Sequence, residues 1–297
     1  MTWIETYRGA VNAWEVDNVE HFTVAYYFAR FEDATRSLLE AVGLGEAALA
    51  GAGLACRVDR CDVRYLRELR VADLLHVRSG VLGLDEGGLG LVHELYDSSD
   101  GTLCTTVEQR ARVVGPHGAS RALPAAARDA LDAGSVTWEP PRGGPAPAPL
   151  PPPPEGDEGF LETARDSLKP WEVDTHGEAA WPAFVHRFSA ANGHVIAAFG
   201  MTPAYMREQR RGFSTFEFRL AWPGTLRAGD LIVVRTGLLH IGNSSIRLLH
   251  RLRDARTGAL VATLEQAGVH LDLDARRPSP LPGPLRERAK TLLVASG

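Results

Sequence analysis

Trp14-Glu15-Val16-Asp17 recurs as Trp171-Glu172-Val173-Asp174, and the reading of that recurrence decides the fold. Four residues alone would be weak support. The same offset of 157, Trp14 to Trp171, also carries Arg30-Phe31 onto Arg187-Phe188, Ala34 onto Ala191 and Gly43 onto Gly200. Further along it carries Leu69-Arg70 onto Leu226-Arg227, Asp73-Leu74 onto Asp230-Leu231, and Val77-Arg78 onto Val234-Arg235. It pairs Gly80 with Gly237, His93 with His250, Asp97 with Asp254 and Gly101 with Gly258, and it ends by laying Glu108-Gln109 on Glu265-Gln266. No gap is needed anywhere. The chain is therefore one unit built twice, and each copy is expected to be one structural module.

Within the unit, Tyr27, Phe31, Ala34, Leu38 and Val42 fall at helical spacing, as do Phe184, Phe188, Ala191, Val195 and Phe199. Such a stripe predicts one long amphipathic helix per copy. Gly43 and Gly200 sit where that helix would end in a left-handed cap. The remainder reads as strands: Leu74 to Arg78 with Leu231 to Arg235, Leu89 to Tyr96 with Ile246 to Arg253, and Leu103 to Val113 with Leu260 to Leu271. The turn-rich stretches Asp97 to Gly101 and Asp254 to Gly258 link the last two. Each copy is thus strand, long helix, then about four antiparallel strands. Leu123 to Leu131 and Pro284 to Leu293 predict short helices that close the two copies. Pro140 to Pro154 includes four consecutive prolines and suits an extended spacer. The expected organisation is a first unit over 1–137, a linker over 138–157 and a second unit over 158–297.

Composition narrows the functional classes. The chain has 297 residues, 44% hydrophobic and 23% charged, as expected of a globular protein with real cores. Thirty-two basic against 37 acidic residues give a net charge of −5, which offers no field for nucleic acid. Cys56, Cys61 and Cys104 are too few and too irregular for a disulfide framework, so a reducing cytoplasm is expected. No Cys/His pair stands at zinc spacing, and no metal is expected. The first residues, including Glu5 and Arg8, do not read as a signal segment, and no apolar run reaches membrane-spanning length. A Gly-x-Ser-x-Gly elbow, a His-Glu-x-x-His helix and a Walker-type loop are all missing. Gly43-Leu44-Gly45 follows a helix instead of a strand, which rejects a dinucleotide site.

The residues before each helix carry a resemblance. The first copy reads Asp17-Asn18-Val19-Glu20-His21-Phe22, then Tyr26-Tyr27 and Phe31; the second reads Asp174-Thr175-His176-Gly177-Glu178, then Phe184 and Phe188. This resembles the Asp-x-x-Gly-His loop and aromatic helix opening of acyl-CoA thioesterases of the 4-hydroxybenzoyl-CoA thioesterase type, over most of the chain outside the linker. The resemblance implies an α+β fold, a tandem or double hotdog, in which each unit wraps an antiparallel sheet of about five strands round its long helix. It implies Asp17, and in the second copy Asp174, as the catalytic carboxylate. His21 would orient water or bond the thioester oxygen, and Val24 and Tyr26 would line the helix opening. Copy one keeps the His but has Glu20 where Gly is usual. Copy two keeps Gly177 but has Glu178 where His is usual, so the better candidate site lies at Asp17.

A thioester hydrolase needs a carboxylate as nucleophile or base, and donors for the developing oxyanion; backbone N–H groups at a helix N-terminus suit the second task. The sequence leaves the nucleophilic and general-base routes equally open, and Asp17 could also be an ordinary helix-start cap. Arg78 and Arg235, at matching strand positions, are candidate substrate-binding residues, and coenzyme A enters as part of the substrate and not as a cofactor. Arg207, Arg210 and Arg211 cluster before the second unit's strands and could meet the coenzyme A nucleotide through forked donors, though a solvated loop is the commoner reading. His93, His250, Glu108 and Glu265 read as structural. The expected partner is a small acyl thioester, with no nucleic acid and no membrane. Association of double units into a homo-oligomer is compatible with the sequence. A non-hydrolytic acyl-thioester-binding protein is the competing reading, because the loop is altered in each copy and a fold does not fix a function. A hydratase on the same fold ranks last.

Overall fold

The apolar stripe of each copy forms the centre of its unit. In the computed structural model, which describes residues 3–17, 19–85, 88–115, 119–123, 128, 131, 135–141 and 154–294, helix α1 spans Val24–Ala41. Tyr27, Phe31, Ala34, Leu38 and Val42 are all buried along it. The chain divides into two units, residues 1–145 and 146–297. In the second, the corresponding helix α3 spans Trp181–Ala198 and buries Phe184, Phe188, Ala191, Val195 and Phe199. Both helices stop as expected. Gly43 and Gly200 take positive φ of 75° and 107°. Leu44 N–H reaches Leu39 C=O while Gly43 N–H reaches Glu40 C=O, and Met201 with Gly200 repeats the pattern on Ile196 and Ala197. These paired 6→1 and 5→2 bonds are Schellman caps, closed by the buried side chains of Leu44 and Met201.

The first unit's sheet consists of β1 Ile4–Ala10, β2 Ala55–Tyr65, β3 Leu74–Asp85, β4 Gly88–Asp97 and β5 Leu103–Val114, with the short helix α2 Glu46–Ala50 before β2. Its spatial order is β1-β3-β4-β5-β2, and the pairings are antiparallel. The second unit repeats this with β6 Leu161–Ser167, α4 Pro203–Glu208, β7 Arg211–Ala221, β8 Leu231–Ile241, β9 Ser245–Asp254 and β10 Leu260–Asp272. Its order is β6-β8-β9-β10-β7, with the two-residue strand β11, Arg277–Pro278, added to β10. One long helix against five antiparallel strands, twice over, is the tandem hotdog. The helix α5, Gly283–Lys290, stands where a closing helix was expected. Its first-unit counterpart, Leu123 to Leu131, falls largely outside the described residues, and so does the linker from 142 to 153. The expected linker, 138–157, is packed at both ends, and so is Val136 just before it. Val136 donates to Val81 C=O at 2.7 Å, and Trp138 Nε1 donates to Glu94 at 3.1 Å. Asp157 accepts from Arg251 at 2.7 Å and from Arg253 at 2.9 Å.

The recurrent Trp-Glu-Val-Asp has a physical reason in its glutamate. A single 3-10 turn covers Ala13–Glu15 in one unit and Pro170–Glu172 in the other. Glu15 accepts the Asn12 backbone N–H at 2.9 Å and Arg30 Nη2 at 2.5 Å, and Glu172 does the same with Lys169 N–H and Arg187. Arg30 and Arg187 are the helix arginines of the repeat, so each motif ties the strand-to-helix connection to the second turn of its helix. Breaking a buried pair of this kind strands a charge and costs about 3–5 kcal/mol, which explains why both members recur together. Trp14 and Trp171, by contrast, are 73% and 80% exposed.

A second matched feature crosses each sheet beneath its helix. His93 is fully buried on β4, with Nδ1 2.6 Å from Ser79 Oγ and Nε2 3.1 Å from both Gln109 Oε1 and Thr35 Oγ1. Thr6 Oγ1 lies 2.6 Å from Ser79 Oγ and extends the chain to β1. In the second unit Thr163, Thr236, His250 and Gln266 form the same line at 2.7, 2.8 and 3.1 Å, and Gln266 Nε2 donates to Thr215 at 2.7 Å. A consistent proton order has each hydroxyl donating toward Nδ1 and Nε2–H donating to the glutamine oxygen. Both imidazoles are therefore neutral core groups, as the structural reading of His93 and His250 expects. Burial pushes each of them down to about 4, against a smaller opposing effect of the glutamine bond.

Candidate active site

The loop before α1 is organised by Asp17. Its Oδ1 accepts the backbone N–H of Val19 at 2.9 Å and of His21 at 3.1 Å, while its own carbonyl accepts Glu20 N–H at 3.1 Å. Its N–H in turn donates to His21 C=O at 2.9 Å, closing a tight five-residue loop. Asp174 holds the second loop in the same way through His176 and Gly177, and through Glu178 at both backbone groups. The carboxylate is thus a turn former in both copies, and in the first it is also exposed to solvent.

This loop shape explains the glycine of the Asp-x-x-Gly-His pattern. Gly177 sits at φ 74°, and Glu20, in its place, is forced to φ 66°. A side chain pays a conformational penalty there that glycine avoids. Glu20→Gly is therefore expected to stabilise the protein by about 1 kcal/mol, the left-handed penalty of a side chain less the extra entropy of glycine, read as a higher urea midpoint. An unchanged or lower midpoint would mean that Glu20 makes a compensating contact.

His21 is held on two sides. Its backbone N–H is on Asp17, and its ring Nε2 makes a 2.6 Å charge contact with Glu68 Oε2. Phe22 N–H donates to Leu69 C=O at 2.7 Å, so the Asp17 loop is pinned to the stretch after β2 that carries Glu68. Helix α1 begins two residues later. Thr23 occupies the N-cap at φ −66°, ψ 134° but makes no side-chain cap bond. The N–H groups of Val24 and Ala25, in the first turn, have no acceptor within the helix itself, and they lie at the positive end of its dipole. Val24 and Tyr26 are half-buried, and Tyr26 stacks on Phe22 with ring centroids 6.4 Å apart. Tyr27 points into the core against Tyr65, 5.2 Å between centroids, where burial raises its pKa far above the ordinary value.

The second unit is built differently at the same point. Ala180 is the N-cap, Trp181 begins α3 and Pro182 follows. Pro182 stands at the position of Ala25 and has no N–H to offer. Glu178 replaces His21, and Thr225 replaces Glu68. His176, displaced from the pattern, is exposed.

Asp17, His21, Val24 and Tyr26 therefore share one loop and helix opening. Arg78 and Arg235 are elsewhere. Both are exposed at mid-strand between buried neighbours, on the sheet face away from the helix, and Arg78 lies over Trp3 at 5.7 Å. Of the cluster at 207–211, Arg210 pairs with Asp274 and Arg211 with Asp272, each at 2.9 Å, so these two brace the end of β10 as a solvated loop would. Among the described residues no group of three His, Cys, Asp or Glu could hold a metal ion, and no helix is long and apolar enough to cross a membrane. Glu68 was not singled out in the sequence. The signal that could have found it is its place beside the matched Leu69-Arg70, where the copies differ.

A long helix against a five-stranded antiparallel sheet, with a carboxylate loop at the helix opening, is the hotdog unit. The thioesterase-like superfamily matches residues 11–155 and 168–289, and the chain belongs to that superfamily. Betainyl-CoA thioesterase of Pseudomonas aeruginosa is 28% identical over 135 residues, 46% of this chain and 85% of that protein. L-carnitine dehydrogenase/betainyl-CoA thioesterase of Rhizobium meliloti is 24% identical over 120 residues, which are 40% of this chain but only 24% of that longer protein. Among solved structures, the 12:0-ACP thioesterase from Umbellularia californica superposes with a TM-score of 0.69 at 13% identity, covering 90% of this chain and 94% of that one. At that identity the likeness speaks for the fold.

Proposed function

We propose that this chain hydrolyses an acyl thioester of coenzyme A or of an acyl carrier protein at its first unit, with Asp17 as the reacting carboxylate. Superfamily membership supports the reaction class. The observation that carries the choice of site is the opening of α1, where a carboxylate loop runs into a helix N-terminus without a side-chain cap. In this reading the first-turn N–H groups polarise the thioester carbonyl, and Asp17 attacks its carbon or activates the water that does. If Asp17 activates water, the carbon–sulfur bond breaks as water adds, the thiol leaves with the proton that Asp17 took, and the acid is released. If Asp17 attacks, cleavage leaves an Asp17–acyl anhydride that a water then hydrolyses to the acid and the free carboxylate.

The second unit is read as a framework partner without a working site. Pro182 removes one donor, and Glu178 adds a negative charge near the place where negative charge would develop. Buried or half-buried free thiols at Cys56, Cys61 and Cys104 fit action in a reducing cytoplasm.

The test is a thiol-trapping assay with the full chain over short, long and aromatic acyl-CoAs, and over acyl carrier protein thioesters. Thiol release well above the uncatalysed rate is expected with at least one substrate, and Asp174→Asn is expected to retain it within about threefold. Saturable binding with no release from any of them would replace this reading by that of a binding protein.

A further inference from the structure

We infer that Glu68 is a positioning residue for His21, and that the two form a carboxylate–imidazole pair that serves the first unit's site alone. The inference rests on the hydrolytic reading of the Asp17 loop. Four observations carry it.

The first is contact. Glu68 Oε2 lies 2.6 Å from His21 Nε2, and the other carboxylate oxygen, Oε1, is held by the Arg70 guanidinium, with Nε at 3.1 Å. The second is placement. Glu68 precedes Leu69, which is fully buried and whose carbonyl accepts Phe22 N–H, so its backbone is fixed against the same loop that carries Asp17 and His21. The third is convergence on one residue: Asp17 takes the backbone N–H of His21 and Glu68 takes its ring. The ring contact is a close charge contact and lacks the alignment of a hydrogen bond. The carboxylate therefore fixes where the Nε2 edge of the ring lies.

The fourth observation separates a functional pair from a structural one. The second unit keeps the frame of this corner. Ala179 N–H donates to Leu226 C=O at 2.9 Å where Phe22 donates to Leu69. Arg227 N–H donates to Asp230 at 2.8 Å, as Arg70 N–H does to Asp73 at 2.8 Å. Yet both members of the pair have changed together, to Glu178 and Thr225. Glu at position 68 facing Glu at position 21 would set two carboxylates in contact, so loss of the imidazole removes the reason for the glutamate. The corner folds without the pair in one copy, so folding does not account for the pair in the other.

The experiment is a double-mutant cycle on the full chain: His21→Ala, Glu68→Gln and both together, with kcat and KM measured on the best substrate of the thiol-release screen. Glu68→Gln is expected to lower kcat by about 10- to 100-fold, the usual scale for a group that orients a functional imidazole, with KM changed by less than about threefold. In the His21→Ala background the same change should cost nothing further, because Glu68 acts through His21. Full activity in Glu68→Gln, or additive losses in the double variant, would overturn the inference. If Glu68→Gln fails to fold, Glu68→Thr, which installs the residue the second unit carries, is expected to give the same loss in kcat. The two readings fail separately. Activity retained in Asp17→Asn removes the hydrolytic assignment of the loop. Activity lost in Asp17→Asn but kept in Glu68→Gln removes only the positioning role.

Discussion

Asp17→Asn is expected to lower kcat for thiol release by about 10²- to 10⁴-fold while leaving the fold intact, a loss of roughly 3–5 kcal/mol of transition-state stabilisation. The choice of asparagine matters because Asp17 has two separable roles. Its Oδ1 is the acceptor for Val19 and His21 N–H, and an amide oxygen can accept the same two bonds. The loop and the course of the chain into α1 should therefore survive, with a thermal midpoint near that of the parent. What asparagine lacks is the negative charge that attacks a thioester or takes a proton from water. Asp17→Ala would remove both roles at once and could not tell them apart. Asp174 supplies the internal control, since it makes the same backbone bonds in a unit that lacks the imidazole and one helix donor. If Asp17 were only a turn former, the asparagine variants at the two positions would behave alike and both would be nearly silent. A large loss at position 17 beside a small one at 174 is the outcome that the proposed function requires.

The sequence was most legible where the physics is periodic or duplicated. The helical stripe from Tyr27 to Val42 required only spacing, and the repeat then placed its partner, with the caps at Gly43 and Gly200 following from both. Strands β2 and β7 were not located, for a physical reason visible in β2. Its register against β5 slips between Val58 and Arg60, so Val58 and Cys61 point inward three residues apart, where an unbroken strand would alternate by two. Charged residues fill the other face, and the stretch from Ala55 to Tyr65 then reads as neither a helix nor a strand. Helices α2 and α4 are five and six residues long, too short for periodicity to register. At the site, the loop residues were found because they are contiguous. Glu68 lies 47 positions beyond His21, and no local pattern links residues brought together only by the pinning of Phe22 to Leu69. Arg78 and Arg235 drew notice by recurring, but their recurrence belongs to the outer face of a repeated strand.

The largest effect on stability should come from acid. His93 and His250 are neutral and fully buried, with pKa values pushed down to about 4, whereas an exposed histidine in the unfolded chain titrates near 6.5. Between those values the unfolded chain binds protons that the folded chain refuses, so stability must fall as pH is lowered through that window. Each histidine can contribute roughly 3 kcal/mol to the loss, one in each unit. Two such losses are comparable with the whole folding free energy of an ordinary domain, about 5–15 kcal/mol. Paired carboxylates act in a different window. Burial alone would raise Asp157 and Glu172, but hydrogen bonds from Arg253 and Arg251 to the first, and from Arg187 to the second, hold both below the usual carboxylate range. Their stabilising effect is therefore complete above about pH 4.5 and is lost only below it. Urea unfolding at half-unit steps from pH 7 to 4.5 should accordingly show a steady decline. His93 and His250 contribute most to it, with His76, His186 and His270, which burial also lowers, adding to it. In His93→Gln and in His250→Gln the unfolding free energy at pH 7 is expected at or below that of the parent, since each loses part of its hydrogen-bonded line, and its dependence on pH should flatten in both. A parent protein whose stability is level across that range would show that the two imidazoles are not the neutral, buried groups that the lines from Thr6 to Gln109 and from Thr163 to Gln266 require.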